Sequence, residues 1–182
     1  MNIVPNIIGY HTNDEHRCEM FVEKGVPINH ADVFYFGRGM YFWDNLSNAK
    51  YWVKQKIRKN KDQTICKWWI VRVNINVSSV LDLTDEIVLE SVNNLWKTYC
   101  QKKNCNPKEP LGKKIDILFD YFGVLSVYTV VKGNVEYKGL SVAEFLNDTF
   151  VVNKIKCIYS VRCENSILTR FLEEVINNEP TG

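Results

Sequence analysis

Tyr35-Phe36-Gly37-Arg38-Gly39-Met40-Tyr41-Phe42-Trp43-Asp44 is the stretch around which the chain is organised. It reads as a two-glycine turn, a short aromatic strand and a closing acid. A helix follows, opening Asn45-Leu46-Ser47-Asn48-Ala49-Lys50-Tyr51-Trp52. Tyr, Phe and Trp in a row cover a large flat object, which is either the core or a planar ligand. Side chains alternate along a strand, so Tyr41 and Trp43 share one face and Phe42 takes the other. Gly37 and Gly39 permit positive φ or a close backbone approach just before the aromatics. Trp52, on the returning helix, is placed to face the strand across a slot.

Upstream, Ile7-Ile8-Gly9-Tyr10-His11 reads as a short buried strand that His11 ends. Asn13 is the expected N-cap of a helix with Asp14 and Glu15 in its first turn. Cys18, Phe21 and Val22 share a face of that helix, and Gly25 stops it. Residues 26–35 lack a clean period and are expected to form a loop. Downstream, Ala49, Trp52, Val53, Lys56 and Ile57 have amphipathic helical spacing. Residues 64–77 are the clearest strand, with Val71, Val73, Ile75 and Val77 alternating against Arg72, Asn74 and Asn76. Residues 80–83 are extended, and Thr84 with Asp85 and Glu86 caps a helix to about Tyr99. A polar loop over 101–110 and an apolar helix over 115–122 come next. Strands are expected over 124–131 and 155–162, helical turns over 141–147 and a helix over 166–177. Helices and strands mix without strict alternation, which favours an α+β fold.

The chain has 182 residues, 46% of them hydrophobic, which fits one domain spanning 1–182. Its net charge of +2 neither demands nor excludes nucleic acid. Residues 54–61 form a basic run, read as a solvated helix end where cations suit the dipole, or as a phosphate contact. Six Cys include no C-x-x-C pair, and with three His they make no zinc pattern, so no metal is expected. The chain opens without a secretory leader, and no apolar run nears the roughly 20 residues that span a bilayer. Reduced thiols, a cytoplasmic setting and no membrane association are therefore expected.

Gly9-Tyr10-His11 before a helix, then Gly-x-Gly-x-Tyr-Phe-Trp-Asp and an Ala-x-x-Trp helix, resemble the ADP-ribosyltransferase fold. The resemblance is to the diphtheria-toxin and poly(ADP-ribose)-polymerase branch, whose triad is His, Tyr and Glu on three strands, and especially to its small bacterial and phage members. The specific matches fall within residues 7–53. The resemblance implies a split mixed β-sheet core with flanking helices, and NAD as co-substrate. It implies that His11 bonds the ribose on the nicotinamide side, the Thr12 backbone holds the carboxamide, Tyr41 stacks on nicotinamide and Trp52 supplies a second aromatic. Ala49 stands where many members carry a Ser that bonds the carboxamide.

Two departures matter. The family's His-Gly is here His11-Thr12, and Thr is β-branched and stiffer. The third strand, where the family has Glu, brings Ile158, with Lys156 and Cys157 as neighbouring choices. Cleaving the nicotinamide–ribose bond develops positive charge on the ribose, which a carboxylate stabilises. The acid is expected from elsewhere in the chain or from the substrate; within the chain Glu136, Glu144 and Glu164 are candidates, each with a solvated-surface alternative, and Glu136 comes first. Arg38 and His30 are candidates for the pyrophosphate or adenosine, because an Arg fork suits phosphate; a solvent-facing alternative stands beside each.

The resemblance thus implies a mono-ADP-ribosyltransferase that moves ADP-ribose to a macromolecular acceptor, protein or nucleic acid (RNA or DNA), in a toxin, effector or phage-defence setting. The alternatives are a catalytically inactive NAD or ADP-ribose-binding module and an NAD glycohydrolase.

Overall fold

The computed structural model describes residues 4–59, 67–136 and 154–177. The chain runs β1 (Asn6–Asp14), α1 (Glu15–Lys24), β2 (His30–Asp32), β3 (Gly37–Trp43) and α2 (Leu46–Lys59). Then come β4 (Lys67–Asn76), β5 (Val80–Asp82), α3 (Glu86–Lys103) and α4 (Leu111–Tyr121). After a 3-10 turn at Gly123–Val127 follow β6 (Val130–Glu136), β7 (Ile155–Val161) and β8 (Ile167–Asn177). The fold is α+β. One mixed sheet has the order β5-β6-β7-β3-β1-β4-β8, and β2 pairs beside β3. Among the described strands only β5 and β6 run parallel.

Alternation sorts the strand side chains into two cores. Tyr41 and Trp43 pack with Ala49 and Val53 of α2, Trp96 of α3, and Ile115 and Leu118 of α4. Met40 and Phe42 pack on the other face with Val71, Val73 and Ile75 of β4, beneath Cys18 and Phe21 of α1. The split of the aromatic strand into a Tyr41/Trp43 face and a Phe42 face follows directly from the two-residue period. So does the burial of the odd-numbered valines of β4.

Local chemistry sets the element ends. The N-cap of α1 is Asp14, not Asn13: the Asp14 carboxylate accepts from the Arg17 amide at 3.0 Å. Asn13 stays in β1, and its Oδ1 accepts from the Asp14 amide. Gly25 closes α1 at φ 71°, the left-handed conformation open to glycine. Asp85, not Thr84, caps α3. The helix runs on to Lys103, because Asn104 takes the left-handed φ of 48° that ends it.

Three expectations are overturned. Residues 26–35 are not all loop, since His30–Asp32 pairs with Gly37–Gly39 in a tight hairpin. Residues 124–131 are not one strand; the 3-10 turn takes the first part. Residues 167–177 form the edge strand β8 and not a helix, pairing with β4 along its length. Ile167, Phe171 and Val175 are spaced by four, which fits both a 3.6-residue and a two-residue period. The β-branched neighbours and the open edge of β4 decide for strand. The helix expected over 141–147 lies outside the described residues.

Candidate active site

β1 and β3 are neighbours in the sheet but pair at a single position, Tyr10 with Trp43. Beyond it β1 follows β4, with His11 opposite Val71 and Thr12 opposite Ile70. β3 follows β7 instead, with Tyr41 opposite Ser160. The sheet therefore splits, and the His11 side chain enters the wedge. Its Nδ1 lies 2.7 Å from the Tyr41 carbonyl oxygen, bridging the two strands where the ladder has stopped.

That bond fixes the ring. A carbonyl only accepts, so Nδ1 carries the proton and Nε2 is left as an acceptor. The Asn13 amide reaches Nε2 only at 3.5 Å. His11 is 4% exposed. Burial lowers its pKa to about 4; the Tyr41 carbonyl opposes the shift, while His30 and Lys56 add to it. At neutral pH the wedge thus holds an uncharged imidazole with an acceptor nitrogen available to a ligand hydroxyl.

Tyr41 is a wall of the same wedge. Its hydroxyl donates to the Gly37 carbonyl at 2.6 Å and accepts from the Phe36 amide at 3.0 Å. The ring lies nearly parallel to Phe36 (17°) at 6.4 Å. Burial pushes the phenol up to about 12, against the Phe36 amide bond. With its hydroxyl committed to the turn, Tyr41 offers a flat ring and not a base. Gly37 and Gly39 make that turn possible, at φ 73° and 149°. A Cβ at Gly37 would collide with the Asp116 carboxylate, and one at Gly39 with Ser160 Oγ.

Between these walls is a cavity of about 320 Å³. His11, Thr12, Tyr41, Trp52 and Ile158, all singled out from the sequence, line it together. Trp52 comes from α2, its ring 5.7 Å from Trp43. Ile158 of β7 sits opposite Trp43 and is 3% exposed, so the third strand presents an apolar wall. Thr12 Oγ1 is buried with no hydrogen-bond partner among the described residues. An orphaned hydroxyl of this kind costs about 1–3 kcal/mol, which a polar ligand group would offset.

Three of the singled-out residues, Arg38, Glu136 and Glu164, are elsewhere. Arg38 is held by carboxylates of α4, with Asp120 at 2.5 Å and Asp116 at 3.4 Å. It lines a second, larger cavity of about 640 Å³ together with Arg162. His30 and Ala31 border both cavities, so β2 stands between them. Glu136 ends β6 opposite Ile155 and is exposed. It lies three strand positions from the Gly133–Ile158 pair, about 10 Å at the usual rise. Residues 133–136, expected as part of a loop that reaches the cleft, are regular strand of β6. Glu164 is exposed in a 3-10 turn at Glu164–Ser166, and Glu144 lies outside the described residues.

The cavity also gathers residues to which the sequence reading gave no role there. Asn13, Asp32, Tyr35 and Lys56 join the lining, beside His30. The His30 ring stacks 6.4 Å from His11. Lys56 places its ammonium 5.6 Å over the Trp52 ring. Its spacing of four from Trp52 was the available signal, since residues four apart share a helix face. The rest of the basic run ends α2 as dipole-matched cations, with Arg58 and Lys59 in the last turn. Residues 60 and 61 lie outside the described residues.

No cluster of His, Cys, Asp and Glu suited to a metal ion forms among the described residues. No helix among them is long and apolar enough to cross a membrane. No protein-family model matches the chain, and no curated protein matches it.

Proposed function

We propose that the chain is an NAD-dependent mono-ADP-ribosyltransferase of the cytoplasm, with the wedge between β1 and β3 as its nicotinamide site. The observation that carries this reading is the lining of that wedge. A neutral imidazole, two aromatic rings and an orphaned hydroxyl surround one cavity of about 320 Å³. A flat aromatic amide joined to a ribose matches each feature. Tyr41 and Trp52 flank the ring, His11 Nε2 accepts from a ribose hydroxyl, and Thr12 meets the carboxamide. The volume suits nicotinamide and its ribose, while the diphosphate leaves at the mouth past Lys56 and His30. The resemblance of residues 7–53 to the ADP-ribosyltransferases supports the same reading. The reaction breaks the ribose C1–nicotinamide bond, the electron pair leaves with nicotinamide, and a nucleophile of the acceptor takes C1.

Incubation with NAD labelled in its adenosine half tests this. Label on protein or on nucleic acid supports transfer and identifies the acceptor class, and free ADP-ribose supports a glycohydrolase. NAD binding without turnover favours the second reading, an inactive binding module, for which the apolar Ile158 on the third strand is the supporting observation. Neither binding nor turnover would remove both.

A further inference from the structure

Nicotinamide departure leaves a cationic ribose, and cation and nucleophile both call for a carboxylate within the cavity. Ile158 supplies none, and Glu136 and Glu164 are exposed away from it. Among the described residues, one acidic side chain lines the cavity: Asp32 of β2.

Three features place it. Asp32 pairs with Gly37, whose carbonyl accepts the Tyr41 hydroxyl, so it stands beside the Tyr41 wall. Residues two apart share a strand face, and His30, two residues before, stacks on His11; Asp32 therefore shares the face of β2 that meets His11. The carboxylate is also held in place. Oδ1 accepts from the Phe34 amide at 2.9 Å and the Tyr35 amide at 3.3 Å. Oδ2 has no partner among the described residues, and no described cation forms an ion pair with Asp32. Its negative charge is felt at Tyr41, His30 and Lys56.

Building on the ADP-ribosyl-transfer reading, we propose that Asp32 is the catalytic carboxylate of this site, supplied from the β2–β3 hairpin in place of an acid on β7. As the C1–N bond breaks, the pyridinium takes the bonding pair and leaves as neutral nicotinamide. The oxocarbenium ion faces the Asp32 carboxylate. A nucleophile N–H or O–H attacks C1, and its proton passes to Oδ2 and then to solvent. Without an added acceptor, water is the nucleophile and ADP-ribose the product.

The test compares the full chain with Asp32→Asn and Asp32→Glu, measuring NAD affinity by titration and nicotinamide release by chromatography. Asn keeps an oxygen for the Phe34 and Tyr35 amides, so the hairpin survives. The expected result is nicotinamide release lowered about 100-fold or more in Asp32→Asn, NAD affinity within about threefold, and partial recovery in Asp32→Glu. Asp32→Asn turnover within about threefold of the unaltered chain overturns the Asp32 assignment and leaves the transferase reading standing. An unaltered chain that binds NAD without releasing nicotinamide overturns the assignment and the transferase reading together, and one that does not bind NAD removes the site as well.

Discussion

Individual side chains in the wedge have distinct duties, and two are separable by substitution. Tyr41 contributes a ring to the cavity and a hydroxyl to the fold. Tyr41→Phe leaves the Phe36 amide and Gly37 carbonyl without their partner, which costs about 1–3 kcal/mol. NAD cleavage is expected to persist in that variant and to be lost in Tyr41→Ala. Urea unfolding and nicotinamide release, measured side by side, check this; loss of cleavage in Tyr41→Phe with an intact fold would give the hydroxyl a chemical role. His11 is expected to titrate near pH 4. Histidine NMR resonances followed from pH 8 to pH 3.5 read this directly, and a His11 midpoint near 6.5 would place the ring in solvent.

At the scale of elements, the β2–β3 hairpin shapes the site more than any helix does. It needs a left-handed residue at Gly37, where an added Cβ also meets Asp116. Gly37→Ala is expected to destabilise the chain by about 2 kcal/mol or more and to weaken NAD binding. Thermal melting with a parallel NAD titration tests it, and an unchanged melting temperature would contradict the strained turn. This hairpin also shows what was legible beforehand. Tyr41, Trp43 and Phe42 could be assigned to faces, since alternation is a local property. Trp52 could be set facing the strand from its place on the returning helix, whereas His11, Thr12 and Ile158 were gathered only by the family resemblance. Asp32 could not be gathered, because its place depends on a three-residue pairing with Gly37–Gly39 that no periodicity signals. The partners of Arg38 were hidden for a related reason: Asp116 and Asp120, about 80 positions away in the chain, bind it. The strand β8 was hidden by its four-residue spacing, which fits helix and strand alike.

For the molecule as a whole, a buried neutral imidazole links stability to pH. The folded pKa of His11 is about 4 and its ordinary value 6.5, so between these the unfolded chain binds more protons. Stability is therefore level above about pH 6.5 and falls as pH drops towards 4. The loss from His11 approaches about 3 kcal/mol. His30, also lowered by burial first and then by Lys56 and Arg17, adds in the same direction. Urea midpoints taken every half unit from pH 8 to pH 4 test this; a midpoint unchanged across the range would contradict a buried His11. The cost is borne at the split between β1 and β3, where the sheet gives up ladder bonds to make room for a cavity. We propose this cavity as the seat of nicotinamide. A crystal structure of the chain soaked with NAD tests it most directly. The nicotinamide ring is expected between Tyr41 and Trp52, with a ribose hydroxyl on His11 Nε2 and the ribose C1 facing Asp32. NAD seated in the larger cavity beside Arg38 and Arg162, with the wedge left empty, would contradict it.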